Sequence, residues 1–155
     1  MEKIWYVEAI GAEKVTEEKL RKDFEIAKIK HNWDSSKVDF EEFKRLKHSW
    51  GEDLYYFDRW ISSFHKTKED AIEFATQNIG DINEAGAYNY VAVVGAPMDS
   101  TYYNTYIKYE DVLIYKYDRE SDRYVQIDKT EEIFKPLHYA ICGIAYTENL
   151  REEER

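Results

Sequence analysis

The sequence contains little cysteine, glycine or proline. Its single cysteine, Cys142, excludes an intrachain disulfide and a zinc site built from several cysteines. The six glycines form no G-x-G pattern and no phosphate-binding loop, and no G-x-S-x-G segment occurs, so common nucleotide-binding and hydrolase signatures are absent. The two prolines, Pro97 and Pro136, mark no linker, and nothing in the composition divides the chain.

Long apolar segments are also missing. No run approaches the roughly 18 apolar residues that a membrane-spanning helix needs. The segment MEKIWYVEAIG lacks the charged and apolar regions of a signal peptide. We therefore expect the chain to begin at Met1, to have no membrane partner and to work in the cytosol of the host cell.

Positive charge is scarce, and the net charge is −10. Binding to nucleic acid without sequence preference requires Lys and Arg side chains against the phosphates, so we expect no direct nucleic-acid partner. Acidity suits a protein that occupies a basic groove on a partner protein. Charge that simply keeps a protein soluble is the more common reason for such acidity, and this alternative stays open.

What the chain does have is apolar and aromatic content: 43% of its 155 residues are hydrophobic and 16% are aromatic. Such a chain buries a core without a metal or a disulfide. The patterning predicts strands at 3–10, 88–95, 112–117, 123–127 and 138–146, and helices from Thr16, from Ser36 to Gly51 and from Thr67. Residues 54–62, LYYFDRWIS, are ambiguous between strand and helix, although their aromatic residues favour a strand.

Helices grouped early and strands grouped late favour an α+β fold. We predict a mostly antiparallel sheet of five to six strands with about three helices packed on one face. Residues 1–147 would form a single α+β domain in which residues 12–51 are a helical insert. Residues 148–155, ENLREEER, would form a charged tail.

No histidine pattern supports catalysis. The chain contains no H-E-x-x-H and no H-x-H segment. We expect no catalytic residue, no metal and no cofactor. A small nucleotide-acting enzyme remains an alternative, and it requires two or more histidines to converge in one cleft. The four histidines are His31, His48, His65 and His138.

The unusual feature is an excess of tyrosine, with 14 in the chain and a cluster between Pro97 and the predicted hairpin. Tyrosine offers a flat ring and a hydroxyl that suit recognition or stacking on a base, and Lys or Arg nearby would hold a phosphate. Tyrosines are also common on sheet faces because they pair well across strands, so a purely structural role for this cluster is the alternative interpretation. The predicted ligand-binding residues are Tyr102, Tyr103, Tyr106, Lys108, Arg59, Trp60 and Arg123.

Two segments carry a family resemblance. Residues 78–90 read NIGDINEAGAYNY and lead into VAVV, and residues 113–118 read LIYKYD. Over about residues 62–128 this resembles small proteins of phages and mobile elements of low-GC Gram-positive bacteria, which share an N-x-x-D-I-x-E segment, a Y-x-Y strand and a Y-K-Y hairpin. The G-x-Y that usually follows the strand is replaced here by Gly95-Ala-Pro-Met98. The resemblance implies an accessory, host-directed role and no reaction.

The leading hypothesis from sequence is a non-enzymatic binding protein that counteracts a host defence. It would sequester a nucleotide-derived signal in an aromatic pocket, with a homo-oligomer interface as one possible place for that pocket. The alternative is an acidic inhibitor that blocks a host protein or a CRISPR-type effector by mimicking nucleic acid. The first hypothesis predicts a local cationic and aromatic cavity, and the second predicts a contiguous acidic face.

Overall fold

A computed structural model describes residues 3–32, 39–46, 48–50, 53–77, 82, 88–97 and 107–142. Its strands are β1 (Lys3–Val15), β2 (His48–Trp50), β3 (Asp53–His65), β4 (Tyr90–Pro97), β5 (Val112–Asp118) and β6 (Arg123–Gln126). Its helices are α1 (Glu17–His31), α2 (Phe40–Leu46), α3 (Lys68–Gln77) and α4 (Phe134–Cys142), and a 3₁₀ turn covers Tyr109–Asp111. None of the described helices has the length and apolarity needed to cross a membrane.

The strands form one sheet in the order β2-β3-β1-β4-β5-β6. The pairs β2–β3, β1–β4, β4–β5 and β5–β6 are antiparallel. This confirms the predicted α+β class with a mostly antiparallel sheet. Residues 54–62, which were ambiguous from sequence, lie within β3 and are strand.

The chain divides into two compact units, one of residues 1–11 and 58–155 and one of residues 12–57. β1 and β3 each contribute residues to both units. The helical insert predicted for 12–51 falls within the second unit, which continues through Phe57. The predicted tail, 148–155, lies outside the described residues.

The first unit packs α3 on one face of the sheet. Alternate residues of β1, Trp5, Val7 and Ala9, join Ala71 and Ala75 of α3 in one buried cluster. The small alanines allow α3 to lie close to the sheet, and α3 contacts both β4 and β6. Side chains alternate along a strand, so every residue of β1 between these three belongs to the opposite face.

Trp5 needs a glycine opposite it. Trp5 pairs with Gly95 on β4, and a Cβ atom built on Gly95 would lie 2.7 Å from the Trp5 ring. The indole therefore lies directly on the backbone of β4. The neighbouring residues of β4 are buried on both faces, as the continuous apolar run of this strand predicted.

α4 covers the opposite face. Ala140 accepts a hydrogen bond from Arg59, and Arg59 is also bonded to Glu8, which lies between Val7 and Ala9 on β1. The predicted strand at 138–146 is therefore wrong for residues 138–142, which belong to α4, and its remainder lies outside the described residues. The buried side chains of this helix follow helical spacing, and Pro136 lies in the first turn, where its missing N–H costs little. The large side chains buried at this spacing are Phe134, Leu137, His138 and Ile141.

The second unit has its own small core. Thr16 caps α1 as predicted, because its side chain accepts a hydrogen bond from the Lys19 N–H. α2 ends at Leu46, so the helix predicted up to Gly51 is wrong at residues 48–50, which form β2. The predicted cap at Ser36 lies outside the described residues, and Asp39 accepts a bond from the Glu42 N–H instead. The buried core residues are Val15, Leu20, Phe24, Phe43 and Leu54.

Candidate functional site: a cleft beside an aromatic row

A row of aromatic side chains crosses the first unit. Trp60 of β3 stacks on Tyr88, with ring centroids 6.3 Å apart and planes at 29°. The Tyr124 hydroxyl on β6 donates to the Tyr88 carbonyl at 2.7 Å. Tyr117 and Tyr124 are direct cross-strand partners whose rings meet edge to face at 5.6 Å. We call Trp60, Tyr88, Tyr124 and Tyr117 the aromatic row.

A cleft of about 560 Å³ opens beside Tyr124. Among the described residues it is lined by Thr76 and Gln77, at the end of α3, and by Arg123 and Tyr124, at the start of β6. Its volume lies within the roughly 300–1,000 Å³ typical of small-molecule sites. We call it the α3 cleft. It exists because α3 ends over β6, where the last turn of the helix and the start of the strand come together.

Arg123 gives the α3 cleft its charge. Its guanidinium is exposed, and in the described part of the chain it forms no ion pair or hydrogen bond. Other cations of these segments are already paired, including Lys3 with Asp111 at 2.7 Å and Arg59 with Glu8 at 2.6 Å. Arg123 is thus a cation available to a ligand in a chain of net charge −10.

The turn between β5 and β6 holds Arg123 in place. Asp118 accepts a hydrogen bond from the Ser121 hydroxyl at 2.8 Å, which lowers the pKa of the Asp118 carboxyl. Asp122 adopts a left-handed backbone conformation with φ 52°, a conformation that aspartate tolerates better than most residues. It also accepts a hydrogen bond from the Tyr117 hydroxyl. Arg123 follows immediately, so the ordered turn sets its position.

Two tyrosines of the row, Tyr117 and Tyr124, are neutral donors. Burial raises the pKa of the Tyr124 hydroxyl, and the nearby Tyr117 raises it further. The hydrogen bond to Asp122 raises the pKa of the Tyr117 hydroxyl. Both groups therefore keep their protons at neutral pH. The Thr76 hydroxyl donates to the Ile72 carbonyl at 2.8 Å, which leaves its oxygen able to accept a bond from a ligand.

Arg59, predicted as a ligand-binding residue, is bound within the protein. Its Nε donates to Glu8 Oε1 at 2.6 Å and its Nη1 donates to the Ala140 carbonyl. Glu8 is 2% exposed, and its Oε2 has no hydrogen-bond partner among the described residues. Sequence reasoning missed Glu8, although a lone acid within the apolar strand IWYVEAI was a usable signal.

The structure separates the two predicted arginines. Arg59 is on β3 and Arg123 is on β6, four strand positions away in the sheet. At about 4.8 Å per strand this is roughly 19 Å, too far for both to hold one phosphate. Trp60 and Arg123 are connected instead through Tyr88 and Tyr124. The members of the site that sequence reasoning did not select are Thr76, Gln77, Tyr88, Tyr117 and Tyr124.

Of the remaining predicted residues, the structure describes only Lys108. Lys108 is exposed and directly precedes the 3₁₀ turn. Tyr102, Tyr103 and Tyr106 lie outside the described residues.

Two histidines occupy different surroundings. His65 shares a hydrogen bond with the Ser63 hydroxyl at 2.7 Å and its ring contacts Phe74. His138 is fully buried in α4 against Tyr109, and burial lowers its pKa to about 3. Neither histidine is among the described residues that line the α3 cleft.

No family model, curated protein or solved structure matches this chain. The functional argument rests on the α3 cleft and the aromatic row.

Proposed function

We propose that this protein is a non-enzymatic binding protein that holds a small anionic ligand of the nucleotide class in the α3 cleft. The observation that carries the proposal is Arg123, an exposed cation with no ion pair among the described residues, at a cleft of about 560 Å³. A cation presented in this way, in a chain of net charge −10, suits an anionic ligand.

Each lining residue suits a different part of a nucleotide. Arg123 offers a planar fork of donors that matches two oxygens of a phosphate. The Gln77 amide offers both donors and an acceptor, and Thr76 offers an acceptor, which suits the hydroxyls of a sugar or the edge of a base. Trp60, a residue that is 47% exposed and whose ring stacks on Tyr88, offers an aromatic surface farther along the row.

The biological role follows from the resemblance rather than from the cleft. A phage or mobile-element protein that binds a nucleotide-derived signal lowers the free concentration of that signal in the host cell. We propose that the protein counteracts a host defence in this way, without chemical change to the ligand.

Isothermal titration calorimetry with AMP, ATP, a cyclic dinucleotide and inorganic phosphate tests the binding. We expect at least one nucleotide to bind more tightly than phosphate alone. Arg123→Gln should weaken that binding by about 10- to 100-fold, since a hydrogen bond to a charged group contributes roughly 1.5–3 kcal/mol. Arg119→Gln is the matched control, because Arg119 is exposed in the same turn and is not among the described residues that line the cleft.

Two results would contradict the proposal. The first is equal affinity of the Arg123→Gln variant and the original protein, or no binding of any nucleotide. The second is the appearance of a cleaved or modified nucleotide, followed by chromatography, which would favour the small nucleotide-acting enzyme. If no nucleotide binds and a host protein is retained instead, the acidic inhibitor becomes the better hypothesis.

A further inference from the structure

The α3 cleft offers a ligand few hydrogen-bond donors. The hydroxyls of Thr76 and Tyr124 already donate to backbone carbonyls, at 2.8 Å and 2.7 Å. Among the described lining residues, the side-chain donors that are left are the Gln77 amide and the Arg123 guanidinium. Of these two groups, the guanidinium alone carries a positive charge. The lining therefore suits a ligand that needs one cation and few neutral donors.

The surroundings of this single cation are negative. α3 ends at Gln77 with no basic residue in its last turn, and the carboxyl end of a helix carries a negative partial charge of about half a unit. Asp122 directly precedes Arg123, and Glu73 is exposed one turn before Gln77. Residues 78–87, which follow α3 in the sequence, add two acids and no lysine or arginine. A second negative charge on a ligand would therefore meet carbonyl oxygens and carboxylates.

On the basis of the proposed function, we further propose that the α3 cleft selects an internal phosphodiester, as in a 3′,5′-cyclic nucleotide or a dinucleotide, over a terminal phosphate. A phosphodiester has a single negative charge, which one guanidinium neutralises. A terminal phosphate carries about −1.5 to −2 at neutral pH, and a polyphosphate carries more. The excess charge would have no cation among the described lining residues.

The number of phosphate oxygens favours the same ligand class. A diester has two non-bridging oxygens, and the planar fork of Arg123 pairs with two. A terminal phosphate has a third oxygen, for which only the neutral Gln77 amide remains. The Thr76 oxygen and the carbonyls at the end of α3 are acceptors, so they suit the sugar hydroxyls and base amino groups that a nucleoside diester keeps.

The expected preference for the diester is about tenfold. One additional negative charge about 6 Å from the half charge of a helix end weakens binding on the order of tenfold at an effective dielectric constant of about 20. Asp122 is the chain neighbour of Arg123, so its carboxylate offsets the attraction of Arg123 for the additional charge. Added salt should reduce the preference, because it screens exposed charges.

Isothermal titration calorimetry with matched adenosine and guanosine series tests this preference. Each series contains the 5′-monophosphate, its methyl ester, the 3′,5′-cyclic monophosphate, the dinucleoside monophosphate and the triphosphate. The methyl ester differs from the monophosphate by one methyl group and by the loss of a negative charge. It should bind about tenfold more tightly than the monophosphate, and the triphosphate should bind most weakly. The cyclic and dinucleoside compounds then show which kind of diester fits best.

A second cation in the cleft should change the preference. Gln77→Arg should abolish or reverse it, because the additional charge of a terminal phosphate then has a partner. Gln126→Arg is the matched control, since Gln126 is exposed on β6 and is not among the described residues that line the α3 cleft. This variant should keep the preference of the original protein. Circular dichroism shows whether both variants fold.

The outcomes separate the diester preference from the proposed function. If the monophosphate or the triphosphate binds as tightly as the methyl ester or more tightly, the preference is overturned and nucleotide binding stands. Equal effects of Gln77→Arg and Gln126→Arg would also overturn it, because the net charge of the protein would then set the preference. If no compound of either series binds, the proposed function fails and the diester preference fails with it. The comparison of ligands on the original protein needs no variant to fold.

Discussion

Replacing Arg59 with methionine removes the only described partner of a buried carboxylate. Glu8 is 2% exposed on β1, and its Oε1 accepts from Arg59 Nε at 2.6 Å. The substitution keeps much of the side-chain length and removes the charge. It also removes the donor to the Ala140 carbonyl of α4. Glu8 is then left in the fold as a buried acid with no cation beside it.

The expected loss in the free energy of unfolding is about 3 kcal/mol. Breaking a buried ion pair by removing one partner costs roughly 3–5 kcal/mol. The Arg59 side chain is 34% exposed, so water reaches part of the pair and the lower end of that range applies. For a chain of this size, about 3 kcal/mol corresponds to a fall in Tm of roughly 6–12 °C.

Urea unfolding at neutral pH, followed by circular dichroism, measures this difference. Lys22→Met is the matched control, because Lys22 pairs with Glu18 at 3.5 Å and both side chains are more than two-thirds exposed. It should cost less than about 1 kcal/mol. The double variant Glu8→Leu with Arg59→Met should recover most of the loss, since an apolar pair replaces the buried ions. A loss of less than about 1 kcal/mol for Arg59→Met alone would refute the reasoning.

Three further predictions concern stability. Gly95→Ala should cost about 1–3 kcal/mol in chemical unfolding, because its Cβ would lie 2.7 Å from the Trp5 ring; an unchanged midpoint would contradict that contact. Burial lowers the pKa of His138 to about 3 in the folded protein, whereas in the unfolded chain it is near 6.5. Below pH 6.5 the unfolded chain therefore binds a proton that the folded protein does not, and the free energy of unfolding decreases as the pH falls toward 3. The free energy of unfolding should be about 2 kcal/mol lower at pH 5 than at pH 7, and this difference should be absent in His138→Phe. Thr16→Ala should cost about 1 kcal/mol by removing the α1 cap, and Thr16→Ser should restore it.

Local signals in the sequence predicted much of the fold. The caps at Thr16 and Thr67 both form, and each accepts a hydrogen bond from the N–H three residues later at 3.1 Å. The continuous apolar run of β4 predicted a strand buried on both faces. The secondary structure of the carboxy-terminal segment was harder to predict, because short apolar runs fit a strand or a helix equally well. In the structure this segment is the helix α4, and its buried residues from Phe134 to Ile141 follow helical spacing.

The candidate site depends on contacts that the sequence does not display. Trp60 and Arg123 were predicted from residue type, and the structure connects them through Tyr88 and Tyr124. Gln77 is an ordinary polar residue at a helix end, and only the meeting of α3 with β6 makes it part of a cleft. From its residue type alone, Arg59 was as good a candidate for phosphate binding as Arg123. It is bound to Glu8, a long-range partner that no local pattern identifies.

An NMR titration with the tightest-binding nucleotide tests the α3 cleft most directly. Backbone amide shifts of Thr76, Gln77, Arg123 and Tyr124 should change together and saturate with ligand concentration, and the Arg123→Gln variant should lose these changes. Shifts confined to residues of the second unit, or no saturable change at the cleft, would contradict the assignment of this site.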